Sequence, residues 1–268
     1  MQFKNKLFKL KKILKKSGSC LIAFSGGVDS ALLLKIALSV LPKDRILAVT
    51  ARSLTYPKEE LLLAQEIARK FGAKHKIIKT SELKDKKFIS NNPNRCYFCK
   101  KELFIKLKTL ARKDKLKFIF DASNLSDKTD FRPGERAKKE LQVRSPLQEA
   151  GFTKADIRAL SKKLGLKTWN KPAQACLASR IPYGVRISQS VLERVNKAEG
   201  VLRRLSFSQV RARHYNGLCR LEVPEKEIGR LIDKRQSIVD KLKKLGYNYI
   251  TVDMEGYRTG SLNEVIRR

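Results

Sequence analysis

The sequence has no long apolar run and few acidic residues. Its apolar segments all fall short of the ~18 residues that a membrane-spanning helix needs, so we expect no membrane span. No apolar core of a cleavable signal follows the lysine-rich N-terminus, so we expect no secretory signal and a cytoplasmic location. Internal repeats and low-complexity segments are also absent. These absences favour a globular chain, and 268 residues suffice for one large or two smaller domains.

The scarcity of acidic residues gives the chain a strong positive charge. It has 26 acidic and 60 basic residues, for a net charge of +34. Such a charge favours a nucleic acid or an anionic small molecule as partner. The lysines are spread along the chain rather than gathered in one block, which is typical of a solvated surface. Nucleic-acid binding therefore stays an alternative and not the leading prediction.

A glycine turn near residue 25 is the most informative motif. It joins an apolar run at 20–24, predicted to be a buried strand, to an apolar helix at 31–38. A strand, a glycine turn and a helix N-terminus form an anion site, because the backbone can approach the ligand and free N–H groups point at it. Ser25 and Ser30 can add hydrogen bonds, and Asp29 can hold a cation. The turn is not a Walker loop, since no Gly-Lys-Ser/Thr follows.

Strand and helix patterns alternate through the first half of the chain. Strands are predicted at 45–51, 75–79 and 118–121, and helices at 57–71 and 100–113. This βαβαβαβ order indicates an α/β fold, with a parallel sheet and helices on both faces. Ligands of such sheets bind at the carboxyl ends of the strands. The residues predicted there are Ser25, Arg52, Ser53 and Asp121.

The last third of the chain predicts a small α+β domain. We expect a helix at 188–205, a hairpin of strands 209–215 and 218–223 around Asn216-Gly217, a helix at 225–245 and a strand at 249–253. A loop rich in proline and glycine precedes it. The predicted domains are therefore 1–180 and 185–268.

The five cysteines fall into two groups. Two lie in apolar strand-like runs and are predicted to be buried, while a CxxC pair and a cysteine in a loop of small residues are candidates for chemistry. The three candidates can ligate a [4Fe–4S] cluster or, with His75 or His214, a zinc ion; alternatively the loop cysteine acts alone. The buried cysteines are Cys20 and Cys219, the CxxC pair is Cys96 and Cys99, and the loop cysteine is Cys176.

Polar residues after the fourth strand are candidates for the nucleotide site. Asp121 and Asn124 close this strand and can reach a nucleotide or Mg²⁺, and Arg132 follows in a loop expected to lie over the strand ends. Arg180 can lower the pKa of the Cys176 thiol or hold an anion.

Two arginines in the first hairpin strand form a second candidate site. Arg211 and Arg213 share one face of a strand, so they can grip one phosphate together. Glu222 in the paired strand and Glu199 in the preceding helix can face them. A surface cluster of ion pairs is the alternative.

These stretches together resemble the LarE family of ATP-dependent sulfur transferases, which are PP-loop ATP pyrophosphatases. The resemblance covers nearly the whole chain, and CLASRIPYG and EGYRTGSLNE are its most specific parts. It implies a Rossmann-like fold of the adenine nucleotide alpha hydrolase type with a smaller α+β C-terminal domain. The matching stretches are SGGVDS (25–30), NPNRCYFCK (92–100), DASN to FRPGERA (121–137), SPLQEAGFTK (145–154), KPAQACLASRIPYG (171–184), RARH (211–214), LEV (221–223) and DMEGYRTGSLNE (253–264).

The resemblance implies a reaction of nickel-pincer cofactor biosynthesis. ATP adenylates a carboxylate of pyridinium-3,5-biscarboxylic acid mononucleotide and releases pyrophosphate. A sulfur nucleophile then displaces AMP and leaves a thiocarboxylate. The implied cofactors are ATP and Mg²⁺, and the implied partners are the mononucleotide, sulfide or another sulfur donor, and further copies of the chain, with a hexamer as a candidate.

The resemblance also implies residue roles. Cys176 carries the sulfur, with Glu199 and Glu222 as acidic groups near it. The residues that hold the substrate phosphate are Arg180, Arg211 and Arg213. In one form of the family this cysteine gives up its own sulfur; in the other, a CxxC joins it to hold a [4Fe–4S] cluster, and this chain resembles the second form. The pyrophosphate would bind to Ser25, Gly26, Gly27, Asp29 and Ser30.

The chain departs from the family pattern at two points. Ala122 stands where a glycine is usual, and the acidic metal-binding residue that follows the LEV strand has only Asp233 as a candidate. The competing functions are a tRNA-thiolating enzyme of the same superfamily, an amide-forming ATP pyrophosphatase and a non-enzymatic RNA-binding protein. The cysteines argue against the second, and the intact SGGVDS argues against the third.

Overall fold

The computed structural model describes residues 2–129 and 133–266. Its helices and strands alternate in the first part of the chain, and short 3₁₀ helices join several of them. In chain order the elements are α1 Gln2–Ser17, β1 Cys20–Ala23, α2 Val28–Leu38, β2 Ile46–Arg52, α3 Lys58–Lys70, β3 His75–Lys79, α4 Lys86–Ile89, α5 Arg95–Lys113, β4 Phe118–Phe120, α6 Gly134–Glu140, α7 Pro146–Glu149, α8 Lys154–Lys163, α9 Gln189–Arg204, β5 Arg211–Tyr215, β6 Leu218–Glu222, α10 Ile228–Asp233, α11 Arg235–Lys243 and β7 Tyr249–Val252.

The chain divides into two compact units. The first contains residues up to Glu82 together with Cys96–Gln174, and the second contains Leu83–Arg95 together with the residues from Ala175 onward. The second unit thus includes a short segment, 83–95, that lies far from the rest of it in sequence. Within the described residues, no helix is both long and apolar enough to span a bilayer.

The first unit is built on a parallel four-stranded sheet with the order β3-β2-β1-β4. The strands are parallel throughout, since β1 pairs with β2 and β4, and β2 pairs with β3. This arrangement confirms the predicted α/β, Rossmann-like fold. The order reverses between β1 and β4, and in open α/β sheets ligands bind outside the carboxyl ends of strands at such a switch point. The Ser25 and Asp121 loops leave the sheet at this place.

Both faces of the sheet are covered by apolar residues. Along β1, Cys20 and Ile22 face a core with α2 and α8, whereas Leu21 faces a second core with α5. A parallel strand buried on both sides has an unbroken apolar sequence, which is why 20–24 shows no polar alternation. Helix α2 is buried on nearly all sides for the same reason. The two cores hold the loop after β1 in a rigid setting.

The second unit contains a three-stranded sheet with the order β5-β6-β7. Strands β5 and β6 form the predicted hairpin, and Asn216 at its turn has a φ of 53°, which asparagine tolerates well. β7 pairs parallel to β6. Helix α9 packs its apolar face, including Ala198 and Leu202, on this sheet. The predicted α+β order is therefore present in the second unit.

Two predicted helices differ from the structure. The predicted helix at 225–245 is wrong as a single element: Lys234, with ψ of 9°, separates α10 from α11. Helix α5 begins at Arg95 rather than near residue 100, because the Asn92 carbonyl already accepts from the Arg95 N–H at 2.9 Å. Cys96 and Cys99 therefore lie in the first turns of a helix.

Candidate functional site

The loop after β1 is shaped by the two serines of SGGVDS. The Ser30 hydroxyl donates to the Gly27 carbonyl at 3.1 Å and accepts from the Ser25 N–H at 3.3 Å. The Ser25 hydroxyl accepts from the Gly27 N–H at 3.3 Å. α2 begins at Val28, so its first N–H groups face this loop. The loop is thus folded around its own hydroxyls in the form that a helix N-terminus needs to hold an anion.

Gly26 is required by its backbone and by a close neighbour. Its φ is +71°, and a Cβ built on it would lie 2.9 Å from the Cα of Ala64 in α3. The nearest atom belongs to the backbone, so it cannot move aside as a flexible side chain does. Any residue with a Cβ would displace either the loop or α3.

Asp29, in the first turn of α2, contacts two side chains that are distant in sequence. Its Oδ2 lies 2.5 Å from the Lys154 ammonium at the start of α8, and its Oδ1 accepts from the Asn124 amide at 3.3 Å. Lys154 is the first residue of α8, and a capping box between Thr153 and Asp156 closes the N-terminus of this helix. No sequence pattern indicated that this lysine reaches Asp29.

Asp121, after β4, lies in a buried polar network. Its Oδ1 accepts from the Ser145 hydroxyl at 2.6 Å and its Oδ2 accepts from the Ser123 hydroxyl at 2.7 Å. The ammonium of Lys138 donates to the Ser145 hydroxyl at 2.8 Å and lies 3.6 Å from Asp121. Both oxygens of Asp121 therefore have protein partners, and Lys138 is a buried cation that sequence reasoning missed.

The loop after β2 is organised by a buried glutamate. Glu82, 3% exposed, accepts hydrogen bonds from the hydroxyls of Ser53 and Thr55 through Oε1. Its Oε2 is buried and has no hydrogen-bond partner among the residues that the structure describes. Arg52, the last residue of β2, is exposed beside this loop. The structure thus brings Ser53 to the carboxyl edge of the sheet, as predicted from the strand order.

The predicted metal ligands divide between the two units. Cys96 and Cys99 belong to the first unit, and Cys176 to the second. Across residues 2–129 and 133–266, no group of three or more His, Cys, Asp or Glu side chains is arranged to hold a metal ion. The ligands predicted for a [4Fe–4S] cluster or a zinc ion are therefore not assembled into a metal site in these residues. Arg132 lies outside the described residues.

The two remaining cysteines, Cys20 and Cys219, are buried and therefore unreactive as nucleophiles. Burial raises the pKa of the Cys20 thiol to about 12, and burial together with Glu199 does the same for Cys219. Both are therefore thiols near neutral pH, as expected for small apolar residues of a strand. None of the five cysteines forms a disulfide.

Cys176 lies in the second unit, directly before a 3₁₀ helix, Leu177–Arg180. The fully buried Arg180 folds back on this turn, and its Nη1 donates to the carbonyls of Ala175 at 2.8 Å and Cys176 at 3.1 Å. The Cys176 side chain is half-buried, and its carbonyl is held by the hydrogen bond from Arg180. The contacts of Arg180 hold the backbone of the cysteine loop.

Glu199 of α9 holds Arg180 in place. Its carboxylate accepts from the Nε of Arg180 at 2.7 Å and from its Nη2 at 3.1 Å, and neither side chain is exposed. The same carboxylate accepts from Arg203 at 3.2 Å and from the N–H of Ala212 at 3.3 Å. It therefore connects the cysteine loop, α9 and β5.

Arg211 and Arg213 are both buried on one face of β5, as their spacing predicts. Arg213 makes a bidentate pair with Glu222 of β6, at 2.7 and 2.9 Å, and donates to the Ser179 carbonyl at 2.6 Å. Burial, and then the charge of Arg180, lowers the pKa of Arg211 to about 10. An anion bound here would offset that repulsion, so the pair suits a phosphate.

Asn91 fixes the far end of the cysteine loop. Its amide nitrogen donates to three carbonyls, of Ile181, Pro182 and Val185, at 2.7 to 3.2 Å. Asn91 is fully buried and has a φ of 54°. It explains why 83–95 belongs to the second unit, and no sequence pattern had marked it.

The chain is similar to several known proteins over nearly its whole length. It is 41% identical over 266 residues to the uncharacterized protein slr1717 of Synechocystis sp., covering 98% of this chain and 99% of that protein. It is 38% identical over 247 residues to the pyridinium-3,5-bisthiocarboxylic acid mononucleotide synthase of Lactiplantibacillus plantarum, covering 92% of this chain and 90% of the synthase. The chain belongs to the LarE family.

Two further matches agree with LarE membership. Residues 4–103 match the NAD synthase family, whose PP-loop domain fits the loop after β1. The uncharacterized protein MJ0830 of Methanocaldococcus jannaschii is 32% identical over 262 residues, which is 97% of this chain and all of that protein. This chain is thus an ATP-dependent sulfur transferase of the LarE family, built on a PP-loop ATP pyrophosphatase domain.

Proposed function

We propose that this protein adenylates a carboxylate of pyridinium-3,5-biscarboxylic acid mononucleotide and converts it to a thiocarboxylate. The main support is the 38% identity over 92% of the chain to a synthase named for the bisthiocarboxylic acid product. The folded SGGVDS loop and the cysteine–arginine site of the second unit are the parts that this chemistry requires. The tRNA-thiolating alternative would use the same loop and similar cysteines, and the net charge of +34 is the feature that favours it.

The loop after β1 supplies the groups for the adenylation step. A carboxylate oxygen of the substrate attacks the α-phosphorus of ATP, the bond to the β-phosphate oxygen breaks, and pyrophosphate leaves. The free N–H groups at the start of α2 and the hydroxyls of Ser25 and Ser30 hold the negative charge of the pyrophosphate. Lys154, 2.5 Å from Asp29, adds a cation close to the same loop.

Asp29 is the candidate ligand for Mg²⁺ in this step. Mg²⁺ is commonly held by one or two carboxylates together with substrate phosphates, so a preformed protein cage is not needed. The half-buried carboxylate of Asp29 at the helix N-terminus fits that donor set. The ion would neutralise the charge that develops on the pyrophosphate. Asp121 is less suited, since both of its oxygens are already occupied.

Cys176 supplies the sulfur in the second step that we propose. Its sulfur attacks the acyl adenylate carbon, a C–S bond forms and AMP leaves with the bonding electron pair. Loss of the Cα proton to a base and cleavage of the Cβ–Sγ bond then release the thiocarboxylate and leave dehydroalanine. A [4Fe–4S] cluster held by Cys96, Cys99 and Cys176 stays a prediction, and it would carry an exchangeable sulfide in place of the sulfur of Cys176.

The arginines divide into two roles. Arg211 and Arg213 are proposed to hold the phosphate of the mononucleotide, since both are buried on one face of β5, and burial and the charge of Arg180 lower the pKa of Arg211. Glu199 and Glu222 are each locked in a bidentate ion pair, so they position arginines rather than touch the substrate. Arg180, also a predicted phosphate ligand, is used instead to hold the Cys176 loop. A homo-oligomer and an external sulfur donor stay predictions.

The deciding experiment follows both half-reactions in one mixture. The protein, purified without oxygen, is incubated with ATP and the biscarboxylic acid mononucleotide, and AMP, pyrophosphate and thiocarboxylate are measured by mass spectrometry. We expect all three from the native chain, pyrophosphate without thiocarboxylate from Cys176→Ala, and a strong loss of pyrophosphate from Ser30→Ala. Pyrophosphate release that ignores the mononucleotide would contradict the proposal.

Cys96→Ala separates the two sources of sulfur. If Cys176 gives up its own sulfur, Cys96→Ala still completes one turnover, and its intact mass falls by one H₂S. If a cluster carries the sulfur, both Cys96→Ala and Cys176→Ala lose iron, labile sulfide and thiocarboxylate formation together. Iron content measured beside the mass of the spent protein decides between them.

A further inference from the structure

The segment 253–266 follows β7 and covers the arginine pair of the second unit. Its start is pinned to the end of β6, because the Tyr257 N–H donates to the Val223 carbonyl at 2.8 Å. Gly256 has a φ of +67°, and a Cβ there would lie 2.7 Å from the same carbonyl oxygen. Further along, Asn263 accepts from the Tyr183 hydroxyl at 2.9 Å. The segment is therefore fixed at two points of the second unit.

Between these two anchors the segment places one hydroxyl on each arginine. The Ser261 hydroxyl accepts from Nη2 of Arg213 at 2.7 Å. The Tyr257 hydroxyl lies 3.5 Å from Nη2 of Arg211, and its ring centroid is 4.9 Å from the guanidinium carbon. Both residues are half-buried, so a ligand can reach them.

The hydroxyl protons of Ser261 and Tyr257 remain available to a ligand. Ser261 accepts through an oxygen lone pair, and within residues 2–129 and 133–266 its own proton has no acceptor in hydrogen-bonding distance. The same holds for the proton of Tyr257. Arg213 donates through Nε and Nη2 to Glu222, through Nη2 to Ser261 and through Nη1 to Ser179; within the described residues this uses four of its five N–H donors and leaves one on Nη1. The two hydroxyls therefore extend the donor set of the arginines by two unpaired O–H groups.

The charges around these hydroxyls favour an anion. Arg180, Arg211 and Arg213 face Glu199 and Glu222, which also pair with the half-exposed Arg203 and Arg220, and Arg220 contacts Asp253 as well. Five arginines thus meet three carboxylates, so this cluster of described residues carries a net positive charge. Hydrogen bonds from neutral O–H donors to an anion are charge-assisted and short. A phosphate dianion, with three oxygens, can accept from several of these donors at once.

We propose that the hydroxyls of Ser261 and Tyr257 complete the phosphate site of the second unit, so that the segment 253–266 selects substrates that carry a terminal phosphate. This inference rests on the proposed function, because it assigns Arg211 and Arg213 to the substrate phosphate. It adds two ligand-binding residues, whose loss should weaken binding of a phosphomonoester and leave binding of the corresponding nucleoside unchanged.

The test compares a phosphorylated ligand with its dephosphorylated form. A pyridinium-3-carboxylate mononucleotide and the matching nucleoside are titrated into the native full-length chain and Ser261→Ala by calorimetry. Loss of one hydrogen bond to a charged group predicts about tenfold weaker mononucleotide binding and no change for the nucleoside. Tyr257→Phe is expected to act in the same direction, and Ser261→Thr, which keeps a hydroxyl, to restore affinity. The exposed Thr259 gives a matched control, since Thr259→Ala alters the same segment without touching either arginine.

Inorganic phosphate separates failure of this inference from failure of the proposed function. If Ser261→Ala weakens phosphate binding but the mononucleotide does not bind the native chain, the anion site stands and the proposed substrate is wrong. Equal losses for mononucleotide and nucleoside, or no rescue by Ser261→Thr, would mean that Ser261 only stabilises the fold. Unchanged phosphate binding in both Ser261→Ala and Tyr257→Phe would overturn the inference outright.

Discussion

Breaking the Glu199–Arg180 pair is the most informative perturbation of the second unit. Neither side chain is exposed, and Glu199→Gln keeps the shape of the side chain while removing its charge. Among the described residues, Arg180 would then retain neutral partners: the carbonyls of Ala175 and Cys176 and the hydroxyl of Ser179. Removing one member of a buried ion pair destabilises a protein by about 3–5 kcal/mol. We expect a loss near the middle of that range, about 4 kcal/mol.

The two single variants are not expected to be equal. Arg180→Met leaves Glu199 with Arg203 at 3.2 Å and the N–H of Ala212 at 3.3 Å, so its charge stays partly compensated. Glu199→Gln leaves Arg180 uncompensated and close to the charge of Arg211. Glu199→Gln should therefore destabilise the chain more than Arg180→Met. In the double variant no buried charge is left without its partner. Its loss of unfolding free energy should therefore be smaller, by at least about 2 kcal/mol, than the sum of the losses in the two single variants.

Chemical denaturation of the native chain and the three variants measures these free energies. AMP and thiocarboxylate formation give a second readout, since Arg180→Met releases the carbonyls that Arg180 holds beside Cys176, and Glu199→Gln removes the carboxylate that positions Arg180. We expect adenylation to persist and sulfur transfer to fall. A Glu199→Gln variant within 1 kcal/mol of the native chain, or strict additivity in the double variant, would refute the reasoning from buried charge.

Three further predictions concern single positions. Gly26→Ala should abolish ATP binding and destabilise the chain by more than Gly18→Ala, because both have positive φ but only Gly26 faces a backbone within 3 Å; calorimetry and denaturation of both variants check this. Asn91→Asp should unfold the second unit more readily than Asn91→Ala, since a carboxylate would face three carbonyl oxygens; urea midpoints decide the order. His75 and His214, the chain's two histidines, both have a pKa lowered by burial from 6.5. Protonation therefore favours the unfolded chain, so stability should be intact above pH 6.5 and fall below it; replacing both histidines by Gln should flatten urea midpoints between pH 7.5 and 5.5.

The sheet and its nucleotide loop could be predicted from local sequence. Six residues, 25–30, hold the turn, both hydroxyls and the helix N-terminus, and the apolar strands on either side need no distant partner to be recognised. The hairpin at Asn216-Gly217 and the Thr153 capping box are equally local. Each of these features depends on contacts between residues a few positions apart, which spacing reveals directly.

The partners of the site residues could not be predicted, because they are distant in sequence. Asp29 meets a lysine 125 residues away, and Asn91 holds carbonyls about 90 residues further along. A lysine or an asparagine in a polar stretch carries no mark of such a contact. The broken helix at Lys234 is different: the apolar spacing on both sides was continuous, and only the backbone shows the break.

The two candidate sites differ in how many separate segments of the chain build them, and this explains why one could be predicted from the sequence and the other could not. The nucleotide loop binds through backbone N–H groups, so its geometry follows from glycine and helix placement within one short segment. The cysteine–arginine site is instead built from side-chain pairs that join a loop, a helix, two strands and the final segment, through Arg180–Glu199, Arg213–Glu222 and Arg213–Ser261. A guanidinium that ties two elements together is fixed by its carboxylate and keeps few donors for a ligand. The substrate phosphate must therefore rely on the donors that these pairs leave over, which is why the hydroxyls of the final segment matter for binding.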